Sequence, residues 1–146
     1  MKGEIARSLF ENGFMCSQAV FATFAPELGL DEKTALKIGT CFNSGMRKGE
    51  VCGACTGALM ALGLKFGQAD ITDKQSRLKS NEVTVRFLDE FKKENGDYIC
   101  NKLLGCDITT KEGVEYALEN KLFFEFCPKM VESAANIAQR IIEENQ

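Results

Sequence analysis

The residues best suited to chemistry in this chain are its cysteines, because 7 of the 146 residues are cysteine and none is histidine. The absence of histidine excludes a Ser-His-Asp or Cys-His catalytic pair and every metal site built on imidazole. Thiol, carboxylate and amide groups are what is left for redox or metal chemistry. An odd number of cysteines also excludes a complete set of internal disulfides, which favours a protein with mostly reduced thiols.

Two of the cysteines form a Cys-x-x-Cys pair in the run Cys52-Gly53-Ala54-Cys55. At the start of a helix such a pair can cycle between dithiol and disulfide, with the first sulfur exposed and nucleophilic. The βαβ pattern of thioredoxin is missing from the surrounding sequence. The pair therefore predicts thiol redox chemistry without predicting a thioredoxin fold.

Helical periodicity runs along almost the whole chain, with only 2 prolines and without the alternating β-branched residues of strands. These patterns predict one all-α domain, residues 1–146, folded as a bundle of about seven or eight helices of mixed length. In the first half of the chain, helices are predicted at 1–11, at 16–28 with an early end or kink at Pro26, from a cap at Asp31 to Ile38, and at 51–66. In the second half, a long helix is predicted from a cap at Thr72 to Gly96. Three more are predicted at 98–104, from Thr109 to about Leu122, and from Pro128 onward.

Two capping boxes define the starts of two of these helices. Thr72 with Gln75 opens the long amphipathic helix, and Thr109 with Glu112 opens a later one. In such a box the threonine accepts from a backbone N–H three residues on, while the Gln or Glu side chain bonds back. The apolar face of the long helix is predicted to consist of Leu78, Val85, Leu88 and Phe91.

Four cysteines fall at or near the starts of predicted helices, namely Cys16, Cys52, Cys100 and Cys127. Unpaired backbone N–H groups and the positive end of the helix dipole favour a thiolate there. Cys127 directly precedes a proline, which predicts that its sulfur lies at the N-cap. Residues 47 and 48 are basic and add positive charge before Cys52. The alternative interpretation is core packing, since free cysteine is among the most buried residue types.

Charge and hydropathy limit the partners and the compartment. The net charge is −3 with both signs spread evenly, so no basic surface for nucleic acid or anionic lipid is expected. The longest stretch of low charge, residues 51–64, has 14 residues and is too short to span a bilayer. The first residues carry Glu4 and Arg7 without an apolar run, so no secretory signal is expected and the protein is predicted to be cytoplasmic.

Two further segments lie next to the candidate cysteines. Residues 43–49 combine small and basic residues but lack the spacing of a phosphate-binding P-loop, and they are interpreted as a connector that positions Cys52. The run Phe123-Phe124-Glu125-Phe126 precedes Cys127. It is expected to be core or a homodimer contact, because phenylalanine offers no polar group to a cofactor.

Four segments together resemble one known family, the redox-active proteins of the C_GCAxxG_C_C type. The resemblance covers nearly the whole chain, and its most specific part is the Cys-Gly-Ala-x-x-Gly block followed by an apolar helix. Cys55 stands where other members often carry an aliphatic residue. The matching segments are Cys16-Ser17-Gln18-Ala19-Val20, residues 49–64 with Cys52-Gly53-Ala54-Cys55-Thr56-Gly57, Cys100-Asn101-Lys102-Leu103-Leu104-Gly105, and Cys127-Pro128.

The resemblance implies that Cys16, Cys52, Cys100 and Cys127 are the four signature cysteines of the family. It also implies a redox role, a bound prosthetic group such as an iron–sulfur cluster, and a redox partner protein or a transporter system as the partner. The resemblance names no reaction.

Three hypotheses of different kinds are open at this point. In the first, Cys16, Cys52, Cys100 and Cys127 converge as four thiolates that hold an iron–sulfur cluster, zinc or another soft metal. In the second, Cys52 attacks a disulfide and Cys55 or a distant cysteine resolves it. In the third, the thiols are packing residues of a non-catalytic helical module that acts through protein partners. The candidate site residues are Cys16, Cys52, Cys55, Cys100 and Cys127.

Overall fold

A computed structural model describes residues 1–146 and confirms the all-α fold, with eight α-helices and no strand. Short turns of tighter or wider helical winding lie at 26–28, 40–42 and 122–126, and residues 45–49 form a turn with left-handed backbone angles at Met46 and Arg47. A single antiparallel bridge pairs Val51 with Ile99. The helices are α1 (Lys2–Glu11), α2 (Cys16–Phe24), α3 (Glu32–Gly39), α4 (Gly53–Phe66), α5 (Lys74–Asn95), α6 (Cys100–Leu104), α7 (Lys111–Glu119) and α8 (Cys127–Glu144).

The core lies where α2, α4 and α8 pack against one another, with α1 and α5 on the outside. Small residues on α4 allow this close approach, because a methyl group at Gly57 would lie 2.6 Å from the carbonyl oxygen of Ser17 on α2. From Ser17 to Ala25 every residue except Gln18 is buried. The buried stripe of α8 consists of Pro128, Met130, Val131, Ala134, Ala135, Ile137, Ala138 and Ile141.

Pro26 ends the second predicted helix early, as expected, because proline cannot supply the next backbone N–H bond. Helix α2 stops at Phe24, and a short turn over 26–28 follows it. Asp31 caps α3 as predicted, with its carboxylate accepting from the backbone N–H of Thr34 at 3.0 Å.

The two predicted capping boxes are each wrong by one residue. Helix α5 is capped by Asp73, which accepts from the N–H of Ser76 at 3.1 Å, and not by Thr72. Helix α7 is capped by Thr110 and not by Thr109. In both cases the predicted threonine instead hydrogen-bonds an aspartate two residues earlier. The hydroxyl of Thr72 donates to Asp70 at 2.7 Å, and that of Thr109 donates to Asp107 at 2.6 Å.

The buried face of α5 also differs from the prediction. Val83, Phe87 and Phe91 are buried at a spacing of four residues. Leu78 is 69% exposed and Val85 is 60% exposed, because neither shares that side of the helix. No helix combines the length and apolar character that a membrane crossing needs.

Candidate functional site

The four cysteines at helix starts meet around one cavity. Cys16, Cys52, Cys100 and Cys127 all line it, and its volume is about 110 Å³. The rest of the lining is mostly apolar, so the sulfur atoms are its main reactive groups. The other lining residues are Phe10, Met15, Asn43, Ser44, Gly53, Ala54, Leu104, Phe123 and Met130.

Each of these cysteines lies at a helix N-terminus, with one difference from the sequence prediction. Cys52 is the N-cap of α4, whereas Cys16 and Cys100 are the first residues of α2 and α6. The prediction that Cys127 is an N-cap is wrong by one residue. Phe126 occupies that position, and Cys127 is already in the first turn, because proline is tolerated there as well as at the very start.

The backbone holds Cys52 and Cys100 on either side of one antiparallel bridge. The antiparallel bridge between Val51 and Ile99 aligns the two segments that lead into α4 and α6. On one side of the bridge the N–H of Cys52 donates to the carbonyl of Tyr98 at 2.8 Å. On the other side the N–H of Cys100 donates to the carbonyl of Glu50 at 2.5 Å. Two cysteines distant in sequence are therefore held in a fixed register.

Gly53 is the residue that lets Cys16 approach α4. A methyl group built on Gly53 would overlap the Sγ atom of Cys16 and would lie 3.1 Å from the carbonyl oxygen of Phe42. The glycine after Cys52 is thus required by the close approach of a second cysteine rather than by its own backbone angles.

Cys52 is the cysteine whose ionised form the site favours. The Cys55 side chain is the main cause that lowers the pKa of Cys52, and the backbone N–H groups of Ala54 and Cys55 add to the effect. Burial acts in the opposite direction but does not overcome these bonds. The prediction of help from the basic residues before it is wrong. Arg47 and Lys48 are exposed and do not contribute to this pKa shift.

The neighbouring thiols stay protonated. Burial, reinforced by the negative charge of Cys52, raises the pKa of Cys16 to about 11 and that of Cys100 to about 12. The same two causes raise the pKa of Cys127. Burial and the hydrogen bond to Cys52 raise the pKa of Cys55 well above its ordinary value. The cavity therefore holds one favoured thiolate among thiols, because like charges in an apolar site oppose one another.

The connector before α4 contributes to the site at Cys16 as well. Ser44, Met46 and Arg47 all have left-handed backbone angles, with φ of 52°, 59° and 62°. The backbone N–H of Ser44 lowers the pKa of Cys16, against the larger effect of burial. Sequence reasoning assigned this connector to Cys52 alone, and its small residues were the one signal of an unusual backbone.

The aromatic run before α8 divides between the cavity and the surface. Phe123 lines the cavity and Phe126 packs against the core, as expected of core residues. Phe124 is 74% exposed. Sequence reasoning missed the part that Phe123, Met15 and Phe10 play in closing the cavity, because apolar residues carry no signal that separates a cavity wall from ordinary core.

A single metal ion fits this arrangement poorly. No three cysteine, aspartate or glutamate side chains are placed where they could hold one ion. Tetrahedral zinc requires four ligands, with each sulfur about 2.3 Å from the metal. Thiols are nonetheless the donor type that soft metals prefer. The thiols are therefore suitable donors for a soft metal, but the side chains are not placed to hold a single zinc ion.

Comparison with known proteins supplies one match. No curated protein and no solved structure gives a significant match to the chain. One family model, described as "Putative redox-active protein (C_GCAxxG_C_C)", matches residues 14–141 and so covers nearly all of the chain. The match confirms the resemblance seen in the sequence and includes all the cavity-lining cysteines. The chain belongs to the C_GCAxxG_C_C family, whose description gives it a redox role.

Proposed function

We propose that this protein is a dithiol–disulfide redox protein in which Cys52 is the nucleophile and Cys55 the resolving thiol. One observation carries the proposal: Cys52 is the N-cap residue of α4, lines the cavity and has a lowered pKa, with the Cys55 side chain as the main cause. A thiolate stabilised at a helix N-terminus beside a protonated thiol is the arrangement that disulfide exchange requires.

In the proposed reaction the Cys52 sulfur attacks one sulfur of a substrate disulfide. A bond forms between Cys52 and that sulfur, and the other substrate sulfur leaves as a thiol after taking a proton from solvent. Cys55 then loses its proton and attacks the Cys52 sulfur, which releases the second substrate thiol. Two electrons and two protons pass to the substrate, and a Cys52–Cys55 disulfide is left in the protein.

The electrostatics of the pair support this order of events. The negative charge of Cys52 is one of the causes that raise the pKa of Cys55. Once Cys52 is bonded to the substrate sulfur its charge is gone, so Cys55 ionises more readily at the step in which it must attack. Cys16 is the alternative resolving thiol, because its sulfur lies against Gly53 and because the charge of Cys52 is one of the causes that raise its pKa.

The test is the reaction of the reduced protein with bis(2-hydroxyethyl) disulfide, a small neutral disulfide. Cys52→Ser should slow exchange at least about tenfold, because the thiolate nucleophile is removed. Cys41→Ser is the matched control, since Cys41 is exposed and does not line the cavity. A Cys52→Ser protein that exchanges as fast as the wild type would sink the proposal. Comparison of Cys55→Ala with Cys16→Ala identifies the resolving thiol.

A second candidate is a cluster of several metal atoms, such as an iron–sulfur cluster. The observation that favours it is the single cavity that Cys16, Cys52, Cys100 and Cys127 share, since a cluster spreads its thiolate ligands over more than one metal atom. Those four residues would hold it, and it would supply one-electron transfer. Iron with matching sulfide in anaerobically purified protein is the result that this candidate requires.

The third hypothesis, a non-catalytic helical module, predicts inert thiols and no metal. We also propose that residues 1–146 form one domain that works in the cytoplasm, where thiols stay reduced. A redox partner protein or a transporter system is the proposed partner. Exposed Phe124 is the residue that a homodimer contact would bury.

A further inference from the structure

Access limits what the buried pair can react with. Cys55 is fully buried, Cys52 is 8% exposed, and the cavity in front of Cys52 holds only about 110 Å³. With so little of its surface exposed, Cys52 is poorly placed to meet a disulfide carried on a folded partner protein. Exchange with such a partner requires a thiol nearer the surface.

The backbone connects Cys52 to such a thiol in two steps, of which the first is Cys100. The bridge between Val51 and Ile99 places the two residues that follow it, Cys52 and Cys100, on the wall of the same cavity. Cys100 is only partly buried, in contrast to Cys52. It is therefore the intermediate position between the buried pair and the protein surface.

The second step leads from Cys100 to Cys106. Helix α6 is little more than one turn long, and Gly105 ends it with a left-handed φ of 70°. This angle turns the chain back, so that the N–H of Cys106 donates to the carbonyl of Asn101 at 3.2 Å. Cys106 is thereby brought against the first turn of α6, whose first residue is Cys100.

The side chain of Asn101 holds this turn in place. Its Oδ1 atom accepts from the N–H of Ile108 at 3.0 Å, and its Nδ2 atom donates to Asp107 at 3.1 Å. Asn101 also fills the space against Gly49, where a methyl group would overlap it. The segment that carries Cys106 is thus clamped to the elements that position Cys52 and Cys100.

Cys106 lies outside the cavity and is partly exposed, with exposed Gly105 and Asp107 on either side. Its charge acts on both Cys100 and Cys127, since it raises the pKa of each. Cys41 is exposed as well, but it neither lines the cavity nor affects the pKa of any cavity cysteine. Cys106 is therefore the surface cysteine that is coupled to the site.

We propose that Cys106 is the entry thiol of a disulfide relay, which carries electrons from the buried Cys52–Cys55 pair through Cys100 to a disulfide of a partner protein. The relay rests on the proposed function of that pair and extends it to a substrate class. The substrate is a disulfide exposed on a folded protein, and it meets Cys106 and not Cys52.

Each step of the relay is an exchange that conserves electrons. Cys106 attacks the partner disulfide, and Cys100 attacks Cys106, which frees the partner as two thiols and leaves a Cys100–Cys106 disulfide. Cys52 then attacks the Cys100 sulfur and releases Cys106, and Cys55 attacks Cys52 and releases Cys100. The net change is one partner disulfide reduced and one Cys52–Cys55 disulfide formed, with two electrons and two protons transferred.

The ionisation order agrees with the direction of attack by Cys52. Burial raises the pKa of Cys100 to about 12, with the charges of Cys52, Cys16 and Cys106 adding to it, whereas burial and Asp107 raise the pKa of Cys106 less. Cys106 therefore ionises first of the two. The sulfur with the lower pKa leaves faster in disulfide exchange. Attack on Cys100, with Cys106 as the leaving thiol, is therefore the favoured route for resolving a Cys100–Cys106 disulfide.

The experiment compares two oxidants with the reduced, anaerobic full-length protein. Insulin serves as the protein disulfide and bis(2-hydroxyethyl) disulfide as the small one, and mass spectrometry follows the Cys52–Cys55 disulfide. With insulin, Cys106→Ser should slow formation of that disulfide at least about tenfold, because the entry thiol is lost. With the small disulfide the same variant should still form it. Cys41→Ser, the matched surface control, should behave as the wild type with both oxidants.

A trapping variant gives a second readout. Cys100→Ser removes the thiol that resolves the first mixed disulfide, so insulin should accumulate on Cys106. The relay is overturned if Cys106→Ser reacts with insulin as fast as the wild type, if insulin is trapped on Cys52, or if the wild type reacts only with the small disulfide. If the wild type forms no Cys52–Cys55 disulfide with either oxidant, the proposed function is overturned together with the relay. If it forms that disulfide with the small oxidant but not with insulin, only the relay is overturned.

Discussion

At Cys52, burial and hydrogen bonding act in opposite directions on the ionisation of one thiol. Burial raises the pKa of a thiol, and it is the largest cause of the raised pKa values of Cys16 and Cys100. Cys52 is as deeply placed, yet its pKa is lowered, because the effects of the Cys55 side chain and of the backbone N–H groups of Ala54 and Cys55 outweigh burial. The Cys-x-x-Cys turn, and not exposure or nearby cations, distinguishes Cys52, the proposed nucleophile, from the other thiols.

This account predicts the pH dependence of alkylation at Cys52. Its rate with iodoacetamide should reach half of its maximum below pH 9.0, the ordinary pKa of a cysteine, because the thiolate is the reactive form. Cys55→Ala should move that midpoint upward, since the side chain that contributes most to lowering the pKa is removed. Mass spectrometry of the labelled peptides measures both values. A midpoint at or above 9.0 that does not respond to Cys55→Ala would contradict the account, and Cys41→Ala serves as the control.

At the scale of the elements, the site depends on two short connections that bring helix ends together. The Val51–Ile99 bridge joins the starts of α4 and α6. The connector at 45–49 carries left-handed angles at Met46 and Arg47, each of which costs a non-glycine residue about 1–2 kcal/mol. Such angles persist only where the surrounding structure requires them, and here the connector leads directly to the cysteines.

Helix α4 offers a matched pair of glycine substitutions. Gly53→Ala should destabilise the fold by about 1–3 kcal/mol, because its methyl group overlaps the Cys16 sulfur in a closely packed site. Gly63→Ala lies in the same helix with no atom within 4 Å of the added methyl, and should stabilise by about 0.5–1 kcal/mol. Urea unfolding measures both. Equal effects of the two substitutions would show that Cys16 does not lie against α4.

At the scale of the whole molecule, the bundle directs the N-termini of α2, α4 and α8 toward one cavity. Their first residues or caps are Cys16, Cys52 and Cys127, all of which line it. The positive ends of three helix dipoles thus surround the sulfur atoms and favour a negative charge among them. Burial limits that charge to one thiolate, which is the condition that the proposed exchange needs.

The protonated thiols predict a loss of stability at alkaline pH. In the unfolded chain a cysteine ionises near pH 9.0, whereas in the fold Cys100 ionises near 12. The folded state keeps a proton that the unfolded state releases, so this stability is complete below pH 9.0 and is lost as the pH rises toward 12. Urea unfolding of the reduced protein should show a shallower alkaline decline for Cys100→Ser than for the wild type. Identical declines would contradict the raised pKa of Cys100.

Cys52 contributes with the opposite sign. Its folded pKa is lowered, so its contribution to stability is present above pH 9.0 and is lost as the pH falls through its folded value. In Cys55→Ala this contribution should shrink, because the donor that lowers the pKa is absent. Urea unfolding of the wild type and of Cys55→Ala between neutral and alkaline pH measures this difference in stability.

The order of the helices could be predicted from the sequence, because apolar periodicity and glycine or proline breaks are local signals. The caps of α5 and α7 could not be assigned correctly, since Asp70 and Asp107 compete for the threonines that follow them. The helix-start positions of the cysteines followed from the same local signals. Their meeting at one cavity did not, because it depends on the long-range bridge between Val51 and Ile99.

The position of Cys106 is a second feature that could not be predicted from the sequence. In the sequence it is an isolated cysteine after a short helix, without a partner at any telling spacing. Its approach to Cys100 depends on the left-handed angle of Gly105 and on the side-chain bonds of Asn101. Neither contact leaves a periodic pattern, so only the three-dimensional structure brings Cys106 to the site.

The central claim is that Cys52 and Cys55 form a reversible redox pair. The most direct measurement is to purify the protein anaerobically, determine metal and sulfide, oxidise it with diamide, and map the disulfides by mass spectrometry before and after re-reduction. The account predicts a Cys52–Cys55 disulfide that forms and is reduced again, without stoichiometric metal. Iron with matching sulfide, or a Cys52 that stays a free thiol after oxidation, would contradict it.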